Sequence, residues 1–154
     1  MSDDHEAIRN LAFEYTFRLD AGDFDGVAEL LSGAVLRPAM PGVAGEGLRG
    51  AEAIRAFYSE QVVTYGDGDP RTRHLITNQA IELDREAGAA SSRCYFTVLQ
   101  RPPKLPYAIV VGGRYEDRFA YADGAWRFTE KVIHVDHLND IEHHFAVAPE
   151  RRRG

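Results

Sequence analysis

Three side chains in this sequence have the types needed to move a proton: Tyr15 in "FEYTFRLD", Asp20 at the end of the same stretch, and His74 in "TRHLITN". Imidazole titrates near neutrality, so His74 is a candidate general base. A carboxylate that accepts a hydrogen bond from one ring nitrogen fixes the tautomer and leaves the other nitrogen to take a proton. A tyrosine hydroxyl close by can hold a substrate carbonyl or protonate a leaving oxygen. Together they suffice for proton abstraction beside a carbonyl, with no metal and no covalent intermediate. Taken singly, each has an ordinary reading: a solvated carboxylate near a helix end, a core aromatic whose hydroxyl reaches the rim, and an exposed or satisfied histidine.

The elements that must position them follow from periodicity. Ile8, Leu11, Ala12, Tyr15 and Leu19 recur at helical spacing, with acids before them and Gly22 after, which predicts a helix over roughly 3–21. Asp20 then sits in the last turn, where the macrodipole disfavours an anion. It is not needed as a cap, because Asp23 can cap a second helix over about 24–31 that buries Phe24, Val27, Leu30 and Leu31. "PGVAGEGLRG" reads as a glycine-rich loop, and "GAEAIRAFYSEQVV" as a third helix with Ile54, Phe57, Tyr58 and Val62 on one side. Four strands follow, at about 72–84, 91–101, 107–122 and 125–136, the last two joined by Asp123-Gly124, a strong hairpin signal. His74 therefore opens a strand, and parity groups it with Ile76 and Asn78 on one face.

Three helices followed by an antiparallel meander predict one α+β domain, with helices packed on one face of a curved sheet. Such a cone has one open mouth, a concave space suited to a small molecule. Phe57, Tyr58, Tyr95, Phe96, Tyr115 and Trp126 are the aromatic candidates for its walls, and Asn78 for a polar contact.

Composition narrows the alternatives. An apolar fraction of 44% with 27% charged residues fits a globular chain with its own core. A net charge of −6 gives a nucleic-acid partner no global electrostatic support, and the only basic cluster is the terminal "RRRG". Cys94 is the sole cysteine, so no internal disulfide forms, and the chain fits a reducing cytoplasm. No apolar run approaches a membrane span, and "MSDDHEAIRN" is too acidic for a signal peptide. "IHVDHLNDIEHHF" is rich in potential ligands, but parity sends His134 and His137 to opposite faces, so no metal site is expected. Neither "PGVAGEG" nor "VVGGRYED" follows a phosphate-binding pattern, and no G-x-S-x-G is present; no cofactor is expected.

The segments "YTFRLDAGDFDGVAELL", "GAEAIRAFY", "TRHLITNQAIE" and "VVGGRYEDRFAYADGAWRF", followed by Asp136, resemble the SnoaL-like branch of the nuclear transport factor 2-like superfamily. The resemblance covers nearly the whole chain and implies a cone-shaped α+β barrel over 1–145, leaving a basic tail over 146–154. It also implies a homodimer or higher homo-oligomer, and its enzymes include scytalone dehydratase and bile-acid 7α-dehydratase. In those enzymes an aspartate ending the first helix pairs with a histidine opening the first long strand, a motif that falls on Asp20 and His74; a catalytic tyrosine of the bile-acid enzyme falls on Tyr15. The resemblance thus implies a cofactor-independent lyase acting on a small hydrophobic or polycyclic molecule. The superfamily also holds isomerases, polyketide cyclases and non-catalytic members such as dioxygenase β subunits. One departure stands out: where relatives carry a second histidine or an aspartate on the next strand, "CYFTVLQR" offers Gln100.

Overall fold

A computed structural model of the protein describes residues 3–39 and 46–139. The basic tail expected over 146–154 and the pair His143-His144 lie outside the described residues.

The first helix, α1 (Asp3–Asp20), forms where the spacing predicts it and buries Ile8, Ala12, Tyr15 and Leu19 along one stripe. Asp3, Asp4 and Glu6 occupy its first turn, where the dipole favours anions. It stops in a Schellman arrangement: Gly22 N–H donates to the Leu19 carbonyl and Asp23 N–H to the Arg18 carbonyl, with Gly22 at φ 71°. Asp23 then caps α2 (Phe24–Leu30) by accepting from Gly26 N–H at 2.8 Å. Val27 and Leu31 are fully buried, while Phe24 and Leu30 pack partly against the core. The third helix among the described residues is α3 (Ala51–Gln61), which buries Ile54 and Tyr58.

The strands are β1 (Val35–Ala39), β2 (Leu48–Arg49), β3 (Thr72–Asp84), β4 (Ala89–Gln100), β5 (Ala108–Ala122) and β6 (Ala125–Leu138), ordered β2-β1-β6-β5-β4-β3 in one sheet. The four long strands make the expected antiparallel meander. Two differences correct the sequence reading. The strand β1 lies parallel to β6, so the sheet is mixed rather than purely antiparallel, and β2 and β3 remain as its edges, so it is not closed into a barrel. Neither β1 nor β2 has a legible period: "VLRPA" is five residues with a proline, and "LR" lies within the glycine-rich segment.

Inward-facing residues of β4 and β5, including Phe96, Val98, Tyr115 and Phe119, meet the buried stripes of the helices in a single core. Asp123 and Gly124, at φ 52° and 80°, make the tight turn between β5 and β6. Bulges interrupt the ladders at Thr77/Ala80 and at Gly112/Gly113 and bend the strands there. No described helix is long and apolar enough to cross a membrane.

Gly113 is a close-packing position. A β-carbon there would stand 2.0 Å from the His134 carbonyl oxygen and 2.7 Å from the Phe96 ring. Gly113→Ala is expected to cost ~1–3 kcal/mol, the range for overpacking a filled core. Urea denaturation checks this; a midpoint equal to wild type would show that β6 and Phe96 yield freely.

Candidate active site

The end of α1 is held against the approach to β3. A β-carbon on Gly22 would lie 2.1 Å from the Gly68 carbonyl oxygen, so only glycine allows this contact. From the other side, Gln100 Nε2 donates to the Pro70 carbonyl at 3.0 Å. Those two contacts bring Asp20, in the last turn of α1, to the first residues of β3.

There the Asp20 carboxylate accepts from the Thr72 hydroxyl at 2.8 Å, from the His74 backbone N–H at 2.9 Å and from His74 Nδ1 at 2.5 Å. Burial alone would raise the Asp20 pKa, but the His74 ring, its backbone N–H and the Thr72 hydroxyl outweigh it and hold the carboxyl below its ordinary 3.8. The three donors also answer the unfavourable placement of an anion at a helix C-terminus. A carboxylate is only an acceptor, so Nδ1 carries the proton and Nε2 is the basic nitrogen. Nε2 has no hydrogen-bond partner among the described residues.

His74 forms part of the wall of a cavity of about 60 Å³ enclosed by α1, α3 and the inner faces of β3 to β6, with Pro38 of β1. Its lining is largely apolar: Leu19, Phe57, Val62, Phe96, Val98, Val111, Ile133 and Val135 contribute, together with Tyr15, Tyr58 and Tyr115. The hydroxyls of Tyr15 and Tyr58 are hydrogen-bonded at 2.8 Å. Burial pushes the phenols of Tyr15, Tyr58 and Tyr115 well above their ordinary 10.0, so all three are neutral hydroxyls near neutral pH.

Behind the tyrosines is a feature the sequence reading missed. Lys131 and Asp117 face each other across β5 and β6 with both side chains fully buried, Nζ lying 3.2 Å and 3.3 Å from the two carboxylate oxygens. Burial raises the Asp117 pKa, opposed by the Lys131 ammonium.

The cavity thus gathers His74, Tyr15, Phe57, Tyr58, Phe96 and Tyr115, with Asp20 immediately behind His74. Asn78 and Trp126 do not join them. Asn78 takes φ 54° at the bulge in β3, beyond which the inward parity changes from even to odd, and it is exposed beside Arg93, Tyr95 and Arg114. Trp126 packs on Tyr121 near the β5–β6 turn, and its indole N–H donates to Asp4 at 2.9 Å. Tyr95 is half exposed on the outer face of the sheet. Thr72 was also missed, though its place two residues before His74 on the same face is a usable signal. Gln100, where relatives carry an acid or histidine, is buried and spent on Pro70, and it does not line the cavity.

The other candidate chemistries are accounted for by packing. Cys94 is buried, which pushes its thiol up to about 11 and away from nucleophilic use. His134 Nε2 bonds Glu116 at 2.7 Å, and Arg114 makes a two-pronged pair with Asp136 at 2.9 Å and 3.2 Å. Among the described residues, no group of three or more His, Cys, Asp or Glu side chains is placed to hold a metal.

Helices packed on a mixed sheet around a largely apolar cavity define the nuclear transport factor 2-like class. The chain belongs to the SnoaL-like domain family, whose model matches residues 1–132. The solved structures it is similar to include several proteins of Novosphingobium aromaticivorans. A nuclear transport factor 2-like protein with a cystatin-like fold shares 18% identity at a TM-score of 0.68, covering 86% of this chain and 82% of that one. A protein provisionally named a scytalone dehydratase shares 23% identity at 0.68, covering 91% of each. The β subunit of a provisionally named aromatic-ring-hydroxylating dioxygenase shares 18% at 0.67, covering 87% of this chain and 90% of that one. At these identities the likeness is one of fold. No curated protein matches this sequence.

The Asp20 contacts carry a stability signature. With its folded pKa held below 3.8, Asp20 supplies stabilisation that is complete above that value and drains away as pH falls through the lowered pKa. Asp20→Asn cannot titrate. The stability gap between wild type and this variant should therefore be widest near neutrality and narrow below about pH 4, as urea midpoints across that range will show. A gap independent of pH would mean that the carboxylate is not held in its charged form.

Proposed function

We propose that the protein is a cofactor-independent general acid–base enzyme, a lyase of the dehydratase type, acting on a small hydrophobic substrate in the cavity. One observation carries this reading: an imidazole whose Nδ1 is tied to a partly buried carboxylate, while its Nε2 has no partner among the described residues and its ring lines a largely apolar cavity shared with tyrosine hydroxyls. In the proposed reaction Nε2 removes a proton from the carbon next to a substrate carbonyl. One phenolic proton is used in the bond between the Tyr15 and Tyr58 hydroxyls, and the tyrosine group donates a remaining one to the oxygen on which negative charge develops, a fixed donor of the kind that counts most in water-poor sites. Asp20 stabilises the imidazolium as it forms. Collapse of the enolate expels a β-hydroxyl, which takes the proton back from Nε2 and leaves as water; a carbon–carbon double bond is formed and His74 is restored. The small cavity favours a compact substrate over a polycyclic one, since ordinary ligand clefts enclose ~300–1,000 Å³.

A second enzymatic reading, an isomerase or cyclase using the same pair, draws support from Gln100. With no further acid on β4 reaching the cavity, returning the proton to carbon asks less of the site than protonating a leaving hydroxyl. The class rival is a ligand-binding or scaffold protein, the role suggested by the likeness to a dioxygenase β subunit. A scaffold has no use for a histidine fixed on a partly buried carboxylate.

His74→Ala and Asp20→Asn should each lower turnover by ~10²-fold or more, the range for removing a general base or its orienter. The measurement is turnover of β-hydroxy ketones and their enone products per folded molecule. A loss of melting temperature with unchanged turnover would leave the pair with a structural role alone.

We also infer a homodimer built on the outer face of the sheet. Leu75, Tyr95 and Ile109 stand half exposed there on adjacent strands, an apolar surface that a second copy would cover. Sedimentation at micromolar concentration should give twice the 17.2 kDa chain mass, and Tyr95→Glu should shift it toward one. A wild-type monomer at that concentration overturns the inference.

A further inference from the structure

The buried pair of Lys131 and Asp117 has no part in the proton transfer just described, and its cost calls for an account. Two charges with fully buried side chains have given up their hydration, and an apolar pair of similar volume often leaves a core as stable or more so. Stability is therefore a poor reason for the pair. Its surroundings supply a better one.

The Lys131 ammonium stands over two ring faces, 3.7 Å from the centre of Tyr115 and 4.2 Å from that of Tyr15. Those rings are themselves nearly perpendicular, at 89° with centres 5.8 Å apart. A cation is drawn to the face of an aromatic ring, and two perpendicular rings sharing one cation have little freedom to turn. Asp117, directly opposite on β5, holds the ammonium at that point. On its other side Tyr115 stacks on Phe96 at 4.2 Å, and Tyr15 is bonded through its hydroxyl to Tyr58. Each contact fixes the ring that bears a hydroxyl in the cavity wall, where the apolar lining makes a fixed donor worth far more than in water.

We propose that Lys131, anchored by Asp117, is a positioning residue that locks Tyr15 and Tyr115 and so makes the tyrosine cluster a receptor for a delocalised oxyanion, an enolate or a phenolate. The proposal rests on the reading of the cavity as the substrate site and adds the reason its tyrosines are ordered. It assigns no proton transfer to Lys131, whose Nζ is behind the rings.

Binding of two isosteric probes tests it without knowledge of the substrate. Calorimetric titration of the full chain with 4-nitrophenol, at a pH where the free probe is anionic, is compared with 4-nitrotoluene, which has the same shape without the oxygen. Wild type should prefer the phenolate. The double variant Lys131→Met with Asp117→Val, which removes both charges together, should lose tenfold or more of its affinity for 4-nitrophenol while binding 4-nitrotoluene as before. A second variant, Lys131→Gln with Asp117→Asn, keeps a polar neutral pair in case the first does not fold, and carries the same expectation. An unchanged preference in a folded variant overturns the role of Lys131 and leaves the cavity reading intact. Wild type binding neither probe overturns both. Failure of both neutral pairs to fold would assign the ion pair to the fold, and equally overturns the proposal.

Discussion

The carboxylate of Asp20 is the point on which this structure turns. It ends the first helix, where its charge is least welcome, and it is kept there by three donors from the first residues of a strand more than fifty positions further on. The same contacts serve two purposes. They fasten the end of α1 to the β3 edge of the sheet, and they orient an imidazole. Hydrogen bonds to a charged acceptor are stronger than neutral ones, so the orientation comes with the fold rather than at its expense.

Much of this was legible from the chain, for reasons that differ by residue. Asp20 and His74 each have an ordinary reading alone, as a carboxylate near the helix stop at Gly22 and a histidine opening a strand; their types taken together, and the family resemblance, make them a pair. Tyr15 follows from helical spacing. Asn78 failed because a parity argument assumes an unbroken ladder, and the bulge between Thr77 and Ala80 turns the strand over just before the positions it was meant to predict. Trp126 failed because strand parity says which face a residue takes but not how far along the cone it lies; at the β5–β6 turn that face meets the start of α1 instead of the cavity. The strand β1 was missed because its evidence is the backbone of β6, which no local pattern records.

Lys131 marks a deeper limit. In "TEKVIHVD" a lysine is read as facing water, since burying an ammonium alone is prohibitive. Only the register of β5 against β6 supplies the partner that makes burial tolerable, and register is a property of two strands rather than of either one. A buried charge pair is thus the kind of feature that sequence patterns are built to overlook, although it lies against the residues that matter most in the cavity.

The parallel pairing of β1 with β6 bears on the order in which the protein assembles. Val35 meets Glu130 and Ala39 meets His134, so β1 waits for a segment made roughly ninety residues later. Asp4 waits longer still for the indole of Trp126, 122 positions away. The β3–β6 meander can zip up through neighbouring hairpins, but the helices gain their full sheet contacts only after β6 is present, and closing loops of that length is slow. Until then Leu36 of β1 lacks the strand it pairs with. The cavity, lined by Tyr15 of α1, Pro38 of β1 and Ile133 and Val135 of β6, is therefore complete only when these segments, far apart in the chain, have met.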